Sequence, residues 1–123
     1  SPDGSFALIA DTNNQQIRKL IISTQAVTLI AGSTTQGSTN SIGTNSMFKF
    51  PWGINISPDS RYAIIGDSNN NQIRQLTITT TEVILLTGSP TLTAGSTNGA
   101  GTNALFNSPY GVTISPDGLI VCC

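Results

Sequence analysis

An internal repeat of about 57 residues constrains the fold of this chain more than any other feature. Related Ser-Pro-Asp turns begin at Ser1, Ser57 and Ser115, which gives spacings of 56 and 58 residues. A fixed period in this range is typical of solenoids, propellers and arrays of small units. The repeat therefore predicts three units, at residues 1–56, residues 57–114 and, as the start of a third, residues 115–123.

Each full unit contains the same predicted hairpin. The first copy runs from Ala7 to Leu20 and the second from Ala63 to Leu76. In both copies an apolar run is followed by an Asp, a cluster of Asn and Gln, and a second run that opens with Ile-Arg. Two strand-length runs around a short polar segment indicate a β-hairpin with a polar turn.

Four strands are predicted for a complete unit, and they form one small antiparallel sheet. The run Ala63-Ile64-Ile65 is apolar without alternation, so both faces of such a sheet must be covered. Sheets stacked around an axis cover each other, which favours an all-β fold of about two β-propeller blades in an incomplete ring. The predicted strands are residues 53–57, 62–67, 72–79 and 82–87, with counterparts at 6–11, 16–23, 25–31 and 111–115.

Two long connections, residues 32–50 and 88–108, are rich in Gly, Ser, Thr and Asn. They are predicted to carry the last strand of one blade to the first strand of the next. Loops of this length are usually functional or are ordered by their own contacts. Phe48 and Phe106, just upstream of a proline, are expected to anchor the connections in the cleft between blades.

The repeated residues resemble the NHL repeat. The resemblance lies in the Asp-Asn-Ile-Arg runs at residues 9–18 and 65–74, and in Phe-x-x-Pro-x-Gly at residues 48–53 and 106–111. It covers nearly the whole chain and implies blades of a propeller that usually has about six of them. Proteins that look like this serve as interaction platforms, RNA-binding modules, extracellular sensor or adhesion domains and occasionally metal-dependent lyases. Function must therefore be argued from the site.

The most conspicuous charged residues are two Asp–Arg pairs, Asp11 with Arg18 and Asp67 with Arg74. As functional groups, the carboxylates would be ligands or general bases. We favour a structural role, because an Asp–Arg pair across one hairpin would fix its turn and register. The Asn residues of the same turns are assigned as turn formers, since Asn tolerates left-handed backbone and can bond its own main chain; they are Asn13, Asn14, Asn69, Asn70 and Asn71.

Composition argues against several classes of function. The chain has no histidine, which removes the commonest general base and the His-ligated metal site of lyases that resemble it. The acids are also too sparse for a calcium loop. We therefore predict no enzymatic activity, no metal and no cofactor. Five basic residues and a net charge of −1 argue against nucleic-acid binding. No apolar stretch approaches the ~20 residues that span a bilayer, so no membrane insertion is predicted.

Trp52 and Tyr110 hold equivalent positions at the start of the inner strand. They could stack on a sugar or on a partner side chain at the propeller mouth, but a recurrent aromatic at this position is more often a packing residue. Asn55-Ile56-Ser57 has the form of a weak N-glycosylation acceptor, because Pro58 follows it. The adjacent Cys122 and Cys123 cannot join distant parts of the fold, and their redox state stays open.

Charged residues make up only 9% of the chain, and Ser, Thr, Asn and Gln take their place. This composition predicts a non-enzymatic structural or adhesive repeat of an extracellular protein, with glycans possible. Two blades cannot close a ring, so we expect association with head-to-tail copies, as a ring or a filament, or with the rest of a longer propeller chain. The alternative is a ligand- or protein-binding sensor or interaction platform with its site near Trp52 and Tyr110.

Overall fold

The computed structural model describes residues 1–118 and 121–122, which form β-strands joined by turns and short 3₁₀ segments. Cys123, and with it the question of the cysteine pair, lies outside the described residues. Among the residues described, no helix is long and apolar enough to cross a membrane. The strands are β1 (Phe6–Asp11), β2 (Gln16–Ile21), β3 (Val27–Gly32), β4 (Ser41–Ile42), β5 (Pro51–Ile56), β6 (Tyr62–Asp67), β7 (Gln72–Thr77), β8 (Glu82–Gly88), β9 (Thr113–Ile114) and β10 (Val121–Cys122).

These strands form three antiparallel sheets. Blade 1 has the order β1-β2-β3, blade 2 has the order β4-β8-β7-β6-β5, and β9 pairs with β10 at the start of blade 3. Chain-adjacent antiparallel strands in successive small sheets are the construction of β-propeller blades. The predicted all-β propeller fold is confirmed.

One strand was not predicted. Within the first connection, β4 adds to the outer edge of blade 2, where Ser41 pairs with Val83 and Ile42 with Glu82. The connection thus doubles back along β8 and satisfies backbone groups that a bare edge strand would leave unpaired. Blade 2 therefore has five strands, and the expectation of four per sheet is wrong for this blade.

The core lies between blades 1 and 2. Six apolar side chains in it are fully buried, and Phe48 enters this core from the first connection, as expected from its position. Gly32 makes room for the ring, since a Cβ at this position would lie 3.0 Å from Phe48 Cδ2. The counterpart Phe106 is only partly buried. The buried core residues are Ile17, Ala31, Phe48, Ile65, Leu76 and Val83.

Candidate binding site

The polar turns and the ends of the two connections lie at one edge of the blades. We call this edge the turn face and define it as residues 12–15, 49–52, 68–71 and 107–110. Main-chain and side-chain hydrogen bonds join these four segments, so they form one surface. The bonds run from Phe50 N to Gln15 Oε1 (2.7 Å), from Asn69 N to Lys49 O (3.1 Å) and from Ser108 N to Asn71 Oδ1 (2.9 Å).

Two glycines bring the start of blade 3 directly onto blade 2. A Cβ on Gly53 would overlap the carbonyl oxygen of Tyr110, and one on Gly66 would lie 2.7 Å from the carbonyl oxygen of Pro109. Ser68 Oγ also donates a hydrogen bond to that Pro109 oxygen, at 2.8 Å. The absence of side chains at Gly53 and Gly66 therefore places Tyr110 beside blade 2.

Trp52 and Tyr110 meet as a result of this close approach. Their ring centroids are 5.7 Å apart, and the ring planes cross at 82°, an edge-to-face arrangement. Both residues remain exposed, Trp52 at 58% and Tyr110 at 56%. Edge-to-face pairs are favourable arrangements, and a pair open to solvent offers a rigid apolar surface with two polar tips. The two aromatic residues singled out from the sequence thus lie together on the turn face.

Gln15 and Asn71 hold the approach to the inner strands. Both residues adopt left-handed backbone, with φ of 60° and 57°. Each side-chain oxygen accepts a hydrogen bond from the residue that precedes the inner-strand proline, Phe50 or Ser108, and both of these residues have φ of 52°. Positive φ is costly for residues other than glycine, so these amides hold a strained backbone in place. From the sequence, Gln15 and Asn71 are predicted only to belong to the polar turns.

The Asp–Arg pairs span their hairpins but differ in environment. Asp67 Oδ2 and Arg74 Nη1 are 2.9 Å apart, and both side chains are fully buried. Asp11 and Arg18 are 3.3 Å apart and keep 24% and 41% of their side-chain surfaces exposed. The buried pair also holds the first connection. Arg74 donates to Met47 O, Thr39 O and Asn40 Oδ1.

Burial has opposite effects on the two charged groups of this pair. Desolvation raises the pKa of Asp67, although hydrogen bonds from Lys49 N and Asn70 and the charge of Arg74 oppose it. Desolvation lowers the pKa of Arg74, and Asp67 opposes that shift. Because each charge stabilises the other, neither group can be removed without leaving its partner buried and uncompensated.

The amide that contacts each carboxylate comes from Asn14 in one hairpin and from Asn70 in the other. Asn14 Nδ2 donates to both oxygens of Asp11 at 3.1 Å, and Asn70 Nδ2 donates to Asp67 at 2.8 Å. Asn13 and Asn69 are exposed in the 3₁₀ turns. The sequence predicts Asn14 and Asn70 as turn residues but not as partners of the carboxylates. Their spacing from the Asp is identical in the two hairpins and could have indicated this contact.

Two other sequence features have defined positions. Asn55 is half-buried in β5 opposite Ile64, at a groove whose other wall includes Ala7 and Leu8. In the part of the chain that the structure describes, no three Asp, Glu or Cys residues lie close enough together to hold a metal ion.

Comparison with known proteins gives one sequence relative and several structural neighbours. No family model matches the chain. Protein SUPPRESSOR OF QUENCHING 1, chloroplastic, from Arabidopsis thaliana is 29% identical over an alignment 125 residues long, which covers 95% of this chain. The chain spans only 12% of the length of that relative.

The structural neighbours come from Bacteroides. A protein of unknown function from Bacteroides thetaiotaomicron VPI-5482 has a TM-score of 0.81 at 23% identity over 93% of this chain. An auxiliary nutrient binding protein from Bacteroides ovatus ATCC 8483 has a TM-score of 0.79 at 19% identity over 93% of this chain. A candidate phosphatase from Bacteroides thetaiotaomicron VPI-5482 has a TM-score of 0.76 at 18% identity over 98% of this chain. This chain covers 28%, 31% and 32% of those three proteins, and the likeness is one of fold.

Proposed function

We propose that this chain is a segment of an NHL-type β-propeller whose turn face binds neutral carbohydrate and which has no catalytic activity. Two features support the NHL-type assignment. The Asp–Arg spacing recurs in both hairpins, and the Phe-x-x-Pro-x-Gly segment recurs at the start of β5 and just before β9. The observation that carries the binding function is the exposed Trp52–Tyr110 pair.

The chemistry of the turn face suits an uncharged, hydroxyl-rich ligand. Lys49 is the only charged residue within the four segments that define this face. The aromatic rings can pack against the C–H faces of a sugar, while neighbouring amides exchange hydrogen bonds with its hydroxyl groups. Small-molecule sites are usually lined by aromatic and apolar side chains together with a few polar groups. An anionic ligand would find little charge to bind here.

The structural neighbours give general support to a binding role. One of them is an auxiliary nutrient binding protein. Since one fold hosts many functions, this support is weaker than that of the aromatic pair. The low fraction of charged residues is our reason for proposing an extracellular location, and for keeping the structural or adhesive role predicted from the sequence as a second proposal.

The enzymatic alternative can be tested directly. One structural neighbour is a candidate phosphatase, so hydrolysis of p-nitrophenyl phosphate is the appropriate assay. We expect no release of p-nitrophenol above the buffer rate, with or without Mg²⁺. The reason is that the turn face offers no histidine and no exposed carboxylate pair to act as acid and base.

Carbohydrate binding can be measured with the protein's own fluorescence, because Trp52 is the only tryptophan. Titration with maltohexaose, cellohexaose, xylohexaose and mannohexaose should give a saturable change in Trp52 emission for at least one probe. Tyr110→Ala should abolish the saturable change while Trp52 still reports. Ile42→Ala is the matched control, since Ile42 is exposed to the same degree (59%) but lies on the outer strand β4. Lack of response to all four probes would overturn the proposed ligand.

A further inference from the structure

A methionine side chain closes the first connection into a loop. Met47, the only methionine in the sequence, is partly buried. A Cβ on Gly37 would lie 2.8 Å from Met47 Sδ, so the sulfur atom packs directly against the Gly37 backbone. Met47 N also donates a hydrogen bond to Thr39 O, at 3.1 Å. We call this contact the methionine clamp and define it by Gly37, Thr39 and Met47.

The methionine clamp holds the first connection over the buried ion pair of blade 2. Arg74 Nη1 donates to Met47 O (3.1 Å) and Nη2 donates to Thr39 O (3.0 Å). Asn70 Nδ2, which also contacts the buried carboxylate, donates to Gly37 O (2.6 Å). All three clamp residues thus supply a carbonyl oxygen to the polar groups of blade 2. Loss of an acceptor is costly for a buried donor, so these groups depend on a closed clamp.

The second connection contains the same contact with a leucine in place of the methionine. A Cβ on Gly95 would lie 2.8 Å from Leu105 Cδ1, and Leu105 N donates to Thr97 O at 2.9 Å. Leu105 is also partly buried. Methionine and leucine have similar volumes and exchange readily in packed sites. The two clamps therefore have the same geometry, but only the one over Arg74 contains an oxidisable sulfur atom.

Oxidation changes the chemistry of the methionine clamp. A peroxide transfers one oxygen atom to the thioether: an S–O bond forms, the O–O bond breaks, the sulfur is oxidised by two electrons, and hydrogen peroxide is reduced to water. The product, a sulfoxide, is larger than the thioether and polar. Because Met47 Sδ already touches the Gly37 backbone, the added oxygen atom opposes the packing that closes the loop.

We propose that Met47 is a peroxide-sensitive switch, in which oxidation of the sulfur atom opens the methionine clamp and releases residues 37–47 from Arg74 while the blades stay folded. The released segment leads through the buried Phe48 into residues 49–52 of the turn face. Reduction of the sulfoxide by methionine sulfoxide reductases closes the clamp again. This inference goes beyond the proposed carbohydrate binding and does not depend on it.

Hydrogen exchange before and after treatment with hydrogen peroxide tests the proposal, and mass spectrometry of peptides confirms the gain of one oxygen atom at Met47. The amides of Gly37 and Met47, which donate to Phe48 O and Thr39 O, should exchange about 5- to 30-fold faster after oxidation. Amides in β6 and β7 should change less, because the blade stays folded. Treatment with methionine sulfoxide reductases should restore the original rates.

The second connection supplies the control within the same molecule. The amides of Gly95 and Leu105 make the equivalent hydrogen bonds, to Phe106 O and Thr97 O, and should keep their exchange rates.

Exchange of the two clamp side chains gives matched variants. Met47→Leu copies the clamp of the second connection and should not respond to peroxide. It keeps Cys122 and Cys123, so any effect of peroxide on the thiols appears in this variant as well. Addition of Leu105→Met to Met47→Leu should move the faster exchange to the amides of Gly95 and of position 105.

Three results would overturn the proposal: unchanged exchange of the Gly37 and Met47 amides in the oxidised chain, an equal response to peroxide in Met47→Leu, or resistance of Met47 to peroxide as long as the chain is folded. Met47→Gln places a polar side chain of similar length in the clamp and should show the faster exchange of the Gly37 amide without peroxide. This variant keeps the proposal testable if Met47→Leu does not fold, and slow exchange of Gly37 in a folded Met47→Gln chain would contradict it.

Discussion

Asp67 and Arg74 form an ion pair of 2.9 Å from which solvent is fully excluded, while the equivalent Asp11 and Arg18 keep a longer, partly exposed contact. The two pairs have the same spacing in sequence and the same position in their hairpins. Their difference comes from residues 39–47, which fold over Arg74. One chain therefore offers an internal comparison of a buried and an exposed copy of the same interaction.

Arg74→Ala should destabilise the chain by roughly 3–5 kcal/mol, because it leaves the Asp67 carboxylate buried without its partner. The measurement is urea unfolding monitored by Trp52 fluorescence. Arg18→Ala is the matched control and should cost at most about 1 kcal/mol, as expected for an exposed pair. Equal losses from the two substitutions would contradict this account.

Asn71→Gly should cost about 1–2 kcal/mol, because it removes the acceptor for Ser108 N and the donor to Leu92 O. Glycine accepts the left-handed backbone at this position. The loss of stability therefore reports the side-chain hydrogen bonds of Asn71 and not a change in backbone conformation. The free energy of unfolding in urea gives the value. Asn69→Gly, in the same turn but with an exposed side chain, should change stability by less than Asn71→Gly.

Gly53→Ala should disturb the aromatic pair without touching either ring. The new methyl group would overlap the carbonyl oxygen of Tyr110, so the start of blade 3 must move away from blade 2. Overpacking of this kind typically costs about 1–3 kcal/mol. We expect lower stability and a changed Trp52 emission spectrum in the folded protein. Gly111→Ala is the control, because a Cβ at Gly111 meets no atom within 4 Å. An unchanged Trp52 spectrum in Gly53→Ala would show that the close approach does not position Tyr110.

The sequence predicted those parts of the fold that local pattern determines. β1 and β6 begin and end at the predicted residues, because apolar runs between clear turns define them. β4 escaped prediction because two residues in a polar segment carry no periodicity, and its partner β8 lies about 40 residues further along the chain.

The candidate site shows the same division between local pattern and three-dimensional context. Equivalence within the repeat placed Trp52 and Tyr110 at matching positions, but their contact depends on the lack of side chains at Gly53 and Gly66. The burial of Arg74 could not be told apart from the exposure of Arg18, since their local sequences are nearly the same. Only the folding of a distant segment distinguishes these two arginines.

At acid pH, the stability of the fold should depend on the protonation of Asp59, which lies in the second Ser-Pro-Asp turn. Hydrogen bonds from the Ser57 hydroxyl (2.7 Å) and then from Arg61 N (3.0 Å) lower the pKa of Asp59 below its ordinary value of 3.8. A carboxyl group whose pKa is lower in the folded than in the unfolded chain stabilises the fold above pH 3.8, and this contribution is lost as the pH falls through the folded-state pKa. Asp59→Asn should therefore reduce stability at neutral pH and leave a smaller loss on acidification than in the native chain. Urea unfolding of both proteins across the acid range measures this difference, and parallel pH profiles would show that the Asp59 carboxylate does not hold the turn.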